Sequence, residues 1–112
     1  MPATFAIVPD RLVNPNAGTT LQNQAVIVES SRIVSVESNT SLPATLATFE
    51  FPDCTLLPGL IDAHVHLCMN PDSVMSDART VDPARLAIQG AANALATLQG
   101  GVTTVRCVGT AA

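Results

Sequence analysis

The sequence predicts an α/β fold in two parts. A small β-sandwich-like domain, incomplete by itself, covers residues 1–57, and a strand–helix–strand unit covers 58–112. Three observations predict this. Short runs of β-branched and apolar residues separated by turn residues fill the first half, without a helical period. One long stretch in the second half, Val81 to Gln99, carries apolar residues at helical spacing. Apolar runs flank that stretch on both sides, and strand, helix, strand is a βαβ unit with parallel strands and a right-handed crossover.

Taken in order, Thr4 to Val8 reads as a strand ended by Pro9-Asp10. Leu12 to Leu21 holds Asn14-Pro15-Asn16-Ala17-Gly18 and reads as a turn-rich loop. Gln24 to Glu29 and Arg32 to Glu37 read as two strands of a hairpin, joined by a tight turn at Ser30-Ser31. Leu42 to Thr48 is ambiguous, because Pro43 argues against a central strand. Phe49 and Phe51 alternate around Glu50 in a short strand, Asp53-Cys54 turns it, and Thr55-Leu56-Leu57 starts the next. Leu60 to Leu67 is a strand entered through a Pro58-Gly59 turn. Cys68 to Thr80, broken by Pro71, is a polar loop with Asp72, Ser73, Ser76 and Asp77. In the helix, Asp82 is the N-cap and Pro83 the first helical residue. Ile88, Ala91, Ala92, Leu95 and Leu98 form one apolar face suited to packing on a sheet, and Gly100-Gly101 stops the helix. Val102 to Val108 is the closing strand.

Composition narrows the function classes. The net charge is −4, all five basic residues are arginine, and there is no Trp or Tyr. Nothing there invites nucleic acid or an anionic membrane. Charged residues make up only 12% against 47% hydrophobic, so a domain this small has too little polar surface to stand alone and is expected to pack against more protein. The odd set Cys54, Cys68 and Cys107 argues against a disulfide framework and for a reducing, cytoplasmic setting. The N-terminus has no basic and long apolar signal pattern, and no apolar run reaches the roughly 20 residues of a membrane span.

The chemistry sits at the end of the Leu60 to Leu67 strand. His64 and His66 are the two histidines of the chain, two residues apart, with Asp62 two residues earlier. Strand alternation lets all three project to one side. Imidazole is a good ligand for zinc, iron or nickel, although an H-x-H pair alone is a weak motif. For Asp62, orienting a ligand or anchoring the strand outweighs direct ligation. For Cys68, packing at the strand end outweighs a thiolate ligand.

The run Pro58-Gly59-Leu60-Ile61-Asp62-Ala63-His64-Val65-His66-Leu67 resembles the first barrel strand of the metal-dependent amidohydrolase superfamily. Residues 93–106, ending Gly101-Val102-Thr103-Thr104-Val105-Arg106, resemble the second βα unit of its imidazolonepropionase-like and peptidase-like branch, with Cys107 where an acid is common. The resemblance implies the first βαβ unit of a TIM-type barrel that stays incomplete here, preceded by the family's N-terminal β-domain. It implies His64 and His66 as two ligands of a divalent metal, zinc foremost, with one or two ions in the complete enzyme. It implies hydrolysis of small amide or peptide-like substrates by metal-activated water, and it leaves room for a homo-oligomer. The remaining ligands and the general base come from later strands in that family, so the chain is expected to be an inactive N-terminal piece, and no catalytic base is assigned to it. Two other readings stand beside this one: a non-catalytic interaction module, and a small structural metal site of His64, His66 and either Cys68 or Asp72.

Overall fold

The computed structural model describes residues 4–69 and 80–109, and the chain divides into two compact units, Met1–Pro58 and Gly59–Ala112. Unit 1 is built around β1 (Thr4–Asn14), which runs straight through Pro9 instead of ending there. The reason lies in its neighbours. On one side β1 pairs antiparallel first with β3 (Gln24–Glu29), over Thr4–Ile7, and then with β2 (Thr19–Gln22), over Arg11–Asn14. Pro9 falls in the gap between these ladders, where a missing N–H removes no antiparallel bond. On its other side β1 pairs in parallel with β5 (Ala47–Leu56). β4 (Arg32–Ser38) pairs with β3, and the five strands form one sheet.

The expected loop at Leu12 to Leu21 is a hairpin. The Asn14 side-chain carbonyl accepts from the backbone N–H groups of Asn16 and Ala17, each at 3.2 Å, and Gly18 takes φ +64°, which together close a turn between β1 and β2. The β3–β4 turn is as expected: Ser30 and Ser31 both have positive φ, 47° and 67°, as a type I′ turn requires. The expected turn at Asp53-Cys54 is a bulge within one continuous strand. Asp53, at φ +60°, absorbs the extra residues where the β1–β5 register shifts past Pro9. The core gathers Ala6, Ala25 and Ile27, with Val8, Leu42 and Leu46 packed against them. Ala6 and Ala25 are fully buried.

Unit 2 is a βαβ unit. β6 (Leu60–Val65) and β7 (Val102–Cys107) pair in parallel, and α1 (Pro83–Gln99) crosses between them. The pairing is tied at both ends, by Leu60 N–H donating to Gly101 O at 2.9 Å and Val108 N–H donating to Val65 O at 3.0 Å. Gly59 is required at the entrance to β6, since a Cβ there would overlap the side chain of Thr103. The Asp82 carboxylate caps α1 by accepting from Ala84 N–H at 2.7 Å, with Pro83 in the first turn. Gly100 and Gly101 close its end, Gly101 at φ +90°.

The packing face of α1 differs from the apolar stripe in the sequence. Ile88, Leu95 and Leu98 are exposed, Ile88 by 74%. The inward side instead carries buried Leu86 and Gly90 and half-buried Asn93 and Thr97, at spacings of four, three and four. Close approach and polar bonds set this face. A Cβ on Gly90 would come within 3.1 Å of Cys68 Sγ, and Asn93 bonds the backbone beyond β6.

Candidate functional site

The two histidines meet at the C-terminal end of β6. His64 is exposed and His66 half-buried, and their ring centres lie 5.3 Å apart with the planes inclined at 67°. Simple alternation is not what brings them together. Between Asp62 and Val65 the β6–β7 register shifts, so that two residues of β6, Ala63 and His64, face one of β7. Such a bulge takes a backbone donor out of the ladder and re-aims a side chain. The freed donor is the His64 N–H, and it bonds Asp62 Oδ1 at 3.0 Å. Asp62 therefore supports the bulged strand, in keeping with the anchoring role expected of it.

His66 is held from two directions. Its Nδ1 lies 3.4 Å from the carbonyl oxygen of Gly109, just past β7. A carbonyl oxygen only accepts, so in a hydrogen bond between these two atoms Nδ1 is the donor. Gly109 is itself closely fitted, because a Cβ there would sit 3.1 Å from Nδ1 and 3.2 Å from Cε1 of the ring. Past His66 the chain turns back, with Met69 N–H donating to His66 O at 3.0 Å. Asn93 on α1 closes over this turn, its amide donating to Leu67 O at 2.6 Å and Met69 O at 3.0 Å.

The donor set fits a metal in part. Two imidazoles on one tetrahedral zinc at about 2.0–2.1 Å hold their ring centres roughly 5 Å apart, which the 5.3 Å separation allows, as it also allows an ordinary edge-to-face ring contact. Among the described residues, however, no three of His, Cys, Asp and Glu gather closely enough to hold an ion. Cys68 continues the H-x-H alternation in sequence but packs against Gly90 of α1. Asp72, Ser73, Ser76 and Asp77 lie outside the described residues. Cys107, expected as a small buried hydrophobe, is exposed. All three cysteines are free thiols, and no described helix is long and apolar enough to cross a membrane.

The sequence spacing anticipates that His64 and His66 lie together, and it misses the residues packed around them. Gly109 lies just past the closing strand and carries no signal of its own in the sequence. Asn93 carries a signal in the sequence, a short polar amide near the middle of a mostly apolar helix. Such a residue has low helix propensity and is there for a bond.

The Amidohydrolase family matches residues 55–112, more than half of the 112-residue chain. Among solved structures, the chain is similar to a prolidase complexed with N-methylphosphonate-L-proline, at 24% identity and TM-score 0.83 over 95% of this chain and 26% of that one. It is similar to molinate hydrolase at 28% identity and TM-score 0.70, over 93% and 23%. It is similar to a Xaa-Pro dipeptidase with methionine bound in its active site at 22% identity and TM-score 0.78, over 95% and 26%. The chain thus spans about a quarter of the length of these proteins. No curated protein matches it.

Proposed function

The chain belongs to the amidohydrolase family, and from that premise we propose that it is the N-terminal part of a metal-dependent hydrolase that cleaves carbon–nitrogen bonds. The observation that carries this reading is the 5.3 Å separation of the His64 and His66 rings, with Nδ1 of His66 engaged by Gly109. In this reading His64 and His66 hold one divalent ion, zinc foremost, and later parts of the protein supply the other ligands, the general base and any second ion. A bound ion of this kind lowers the pKa of a coordinated water toward about 7 and polarises an amide carbonyl. The task of this chain is to orient two imidazoles. Asp62 supports the bulge that aims His64, and Gly109 fixes the ring of His66.

The C-terminal end of a parallel barrel strand is where such enzymes carry their chemistry, and the histidines sit at that end of β6. The substrate class is a small amide or peptide-like molecule. The prolidase with its proline phosphonate and the Xaa-Pro dipeptidase support that class, and the free cysteines suit a cytoplasmic setting. A structural site completed by Cys68 is disfavoured by the packing of that thiol on Gly90. The chain by itself is expected to give no turnover.

The test is zinc uptake by the purified chain, followed by native mass spectrometry beside its His64→Gln and His66→Gln variants. Weak uptake lost in either variant is the expected result. Uptake that survives both substitutions overturns the assignment of these ligands.

A further inference from the structure

We infer that Asn93 is the positioning residue for the His66 end of β6, acting through the turn that follows it; this rests on the metal-site reading above. Asn93 stands at the middle of α1, on the face turned toward that turn. Both protons of its amide are used, on Leu67 O at 2.6 Å and Met69 O at 3.0 Å. These two carbonyls only accept, which fixes which way round the amide lies, and its own carbonyl oxygen then accepts from Gln89 Nε2 at 2.9 Å. The turn it grips is the one closed by Met69 N–H on His66 O. One side chain on a rigid helix thus holds two carbonyls, one and three residues beyond a proposed ligand. Gly90, one turn earlier, lets the helix come close enough for this, with Cys68 packed in the space a side chain would fill.

The chemistry leaves few substitutes. An aliphatic residue would strand two carbonyls that the amide now satisfies. Aspartate matches the shape but, ionised, offers only acceptors to acceptors. Loss of the grip frees the backbone on the far side of His66, while Gly109 still holds the ring from the near side. The consequence is a looser ligand in a chain that remains folded. Partners of this outer kind alter metal affinity by about 10- to 100-fold when removed.

Two readouts on the full chain test this, in Asn93→Ala, Asn93→Asp and a control, Thr97→Val. The control loses the Thr97 Oγ1 bond to Asn93 O at 2.8 Å but leaves the amide and its two carbonyl partners alone. The first readout is amide hydrogen exchange at Met69. Both Asn93 variants should exchange there at least about tenfold faster than wild type, and Thr97→Val should not. The second is zinc affinity, measured by competition with a chromophoric chelator. The Asn93 variants should lose about tenfold or more and the control little. Unchanged exchange at Met69 overturns the inference, as does zinc affinity that falls equally in all three variants. Failure of the metal reading looks different: zinc binding would then be indifferent to His66→Gln, while exchange at Met69 would still respond to Asn93 alone.

Discussion

The same side chain meets opposite surroundings in the two units. Ile27 on β3 is 8% exposed and belongs to the core of unit 1, whereas Ile61 on β6 is 75% exposed. The difference follows from how the strands are enclosed. β1 and β3 each have hydrogen-bonded neighbours on both sides, and one face of their sheet closes over Ala6, Ala25 and Ile27. Among the described residues, β6 and β7 have only each other, and Leu86 is the one buried hydrophobic residue of unit 2. Yet the proposed chemistry is all in unit 2. The proposed ligands lie in the unit with the smaller core: among the described residues unit 1 buries Ala6, Leu12, Ala25, Val26 and Ile27 and unit 2 only Leu86, while both units leave large apolar side chains exposed. On the reading proposed above, in which the chain is part of a larger α/β enzyme, β6, β7 and α1 are expected to gain further neighbours.

The largest effect expected is in unit 1. Ile27→Ala removes a branched side chain from a core with few other large members, and truncations of this kind cost about 2–5 kcal/mol. Urea unfolding of the chain, followed by circular dichroism, should show a loss of about 3 kcal/mol. A loss below about 1 kcal/mol would break the comparison, since unit 1 would then not depend on the core assigned to it.

A smaller effect is expected from Gly59→Ala in unit 2. The new methyl would overlap Thr103, whose position is fixed by the shift in register between Leu60 and Ile61. Overpacking of this sort costs about 1–3 kcal/mol. The loss should shrink when Thr103→Gly is added, because that change removes the atoms the methyl meets. Failure of the second change to relieve the first would mean that Gly59 is needed for its backbone and not for the close approach.

How much of this was legible follows from which signals are local. The β3–β4 hairpin, the Asp82 cap, the Pro83 start and the Gly100-Gly101 stop of α1 depend on residues within a turn or two of one another, and each appeared as read. That the rings of His64 and His66 lie near each other was legible for the same reason. What sequence could not give depends on partners far along the chain. The passage of β1 through Pro9 makes sense only once β2 and β3 are seen to share one side of it. The Asp53 bulge exists because β5 must stay in register with a strand some forty residues earlier. The stripe of Ile88, Leu95 and Leu98 obeys helical spacing, but Gly90 and Asn93 decide which face of α1 turns inward. A small residue and a polar one outweigh three large apolar ones when close approach and two hydrogen bonds lie on their side. At the site, the bulge at Ala63-His64 and the carbonyl of Gly109 were invisible, since both express pairing between β6 and β7.

The smallest effect expected is the one that sharpens the comparison most. Ile61→Ser changes a residue that is three-quarters exposed in this chain, and substitutions at such positions usually stay within about 0.5 kcal/mol. The change in Ile27, of the same residue type, should therefore exceed it several-fold in the same urea experiment. Four of the six residues of β6, Leu60, Ile61, Ala63 and Val65, are apolar, which suits a strand that packs against neighbours. In a longer protein that continues past Ala112 and covers β6, the same Ile61→Ser should cost about 2 kcal/mol or more, through lost burial and a hydroxyl without a partner. Measuring the substitution in both lengths separates the two accounts. A rise in cost with length means that later residues enclose β6, as the barrel reading requires. An equal, small cost in both means that Ile61 is a surface residue in its own right, and β6 is then not the inner strand of a barrel.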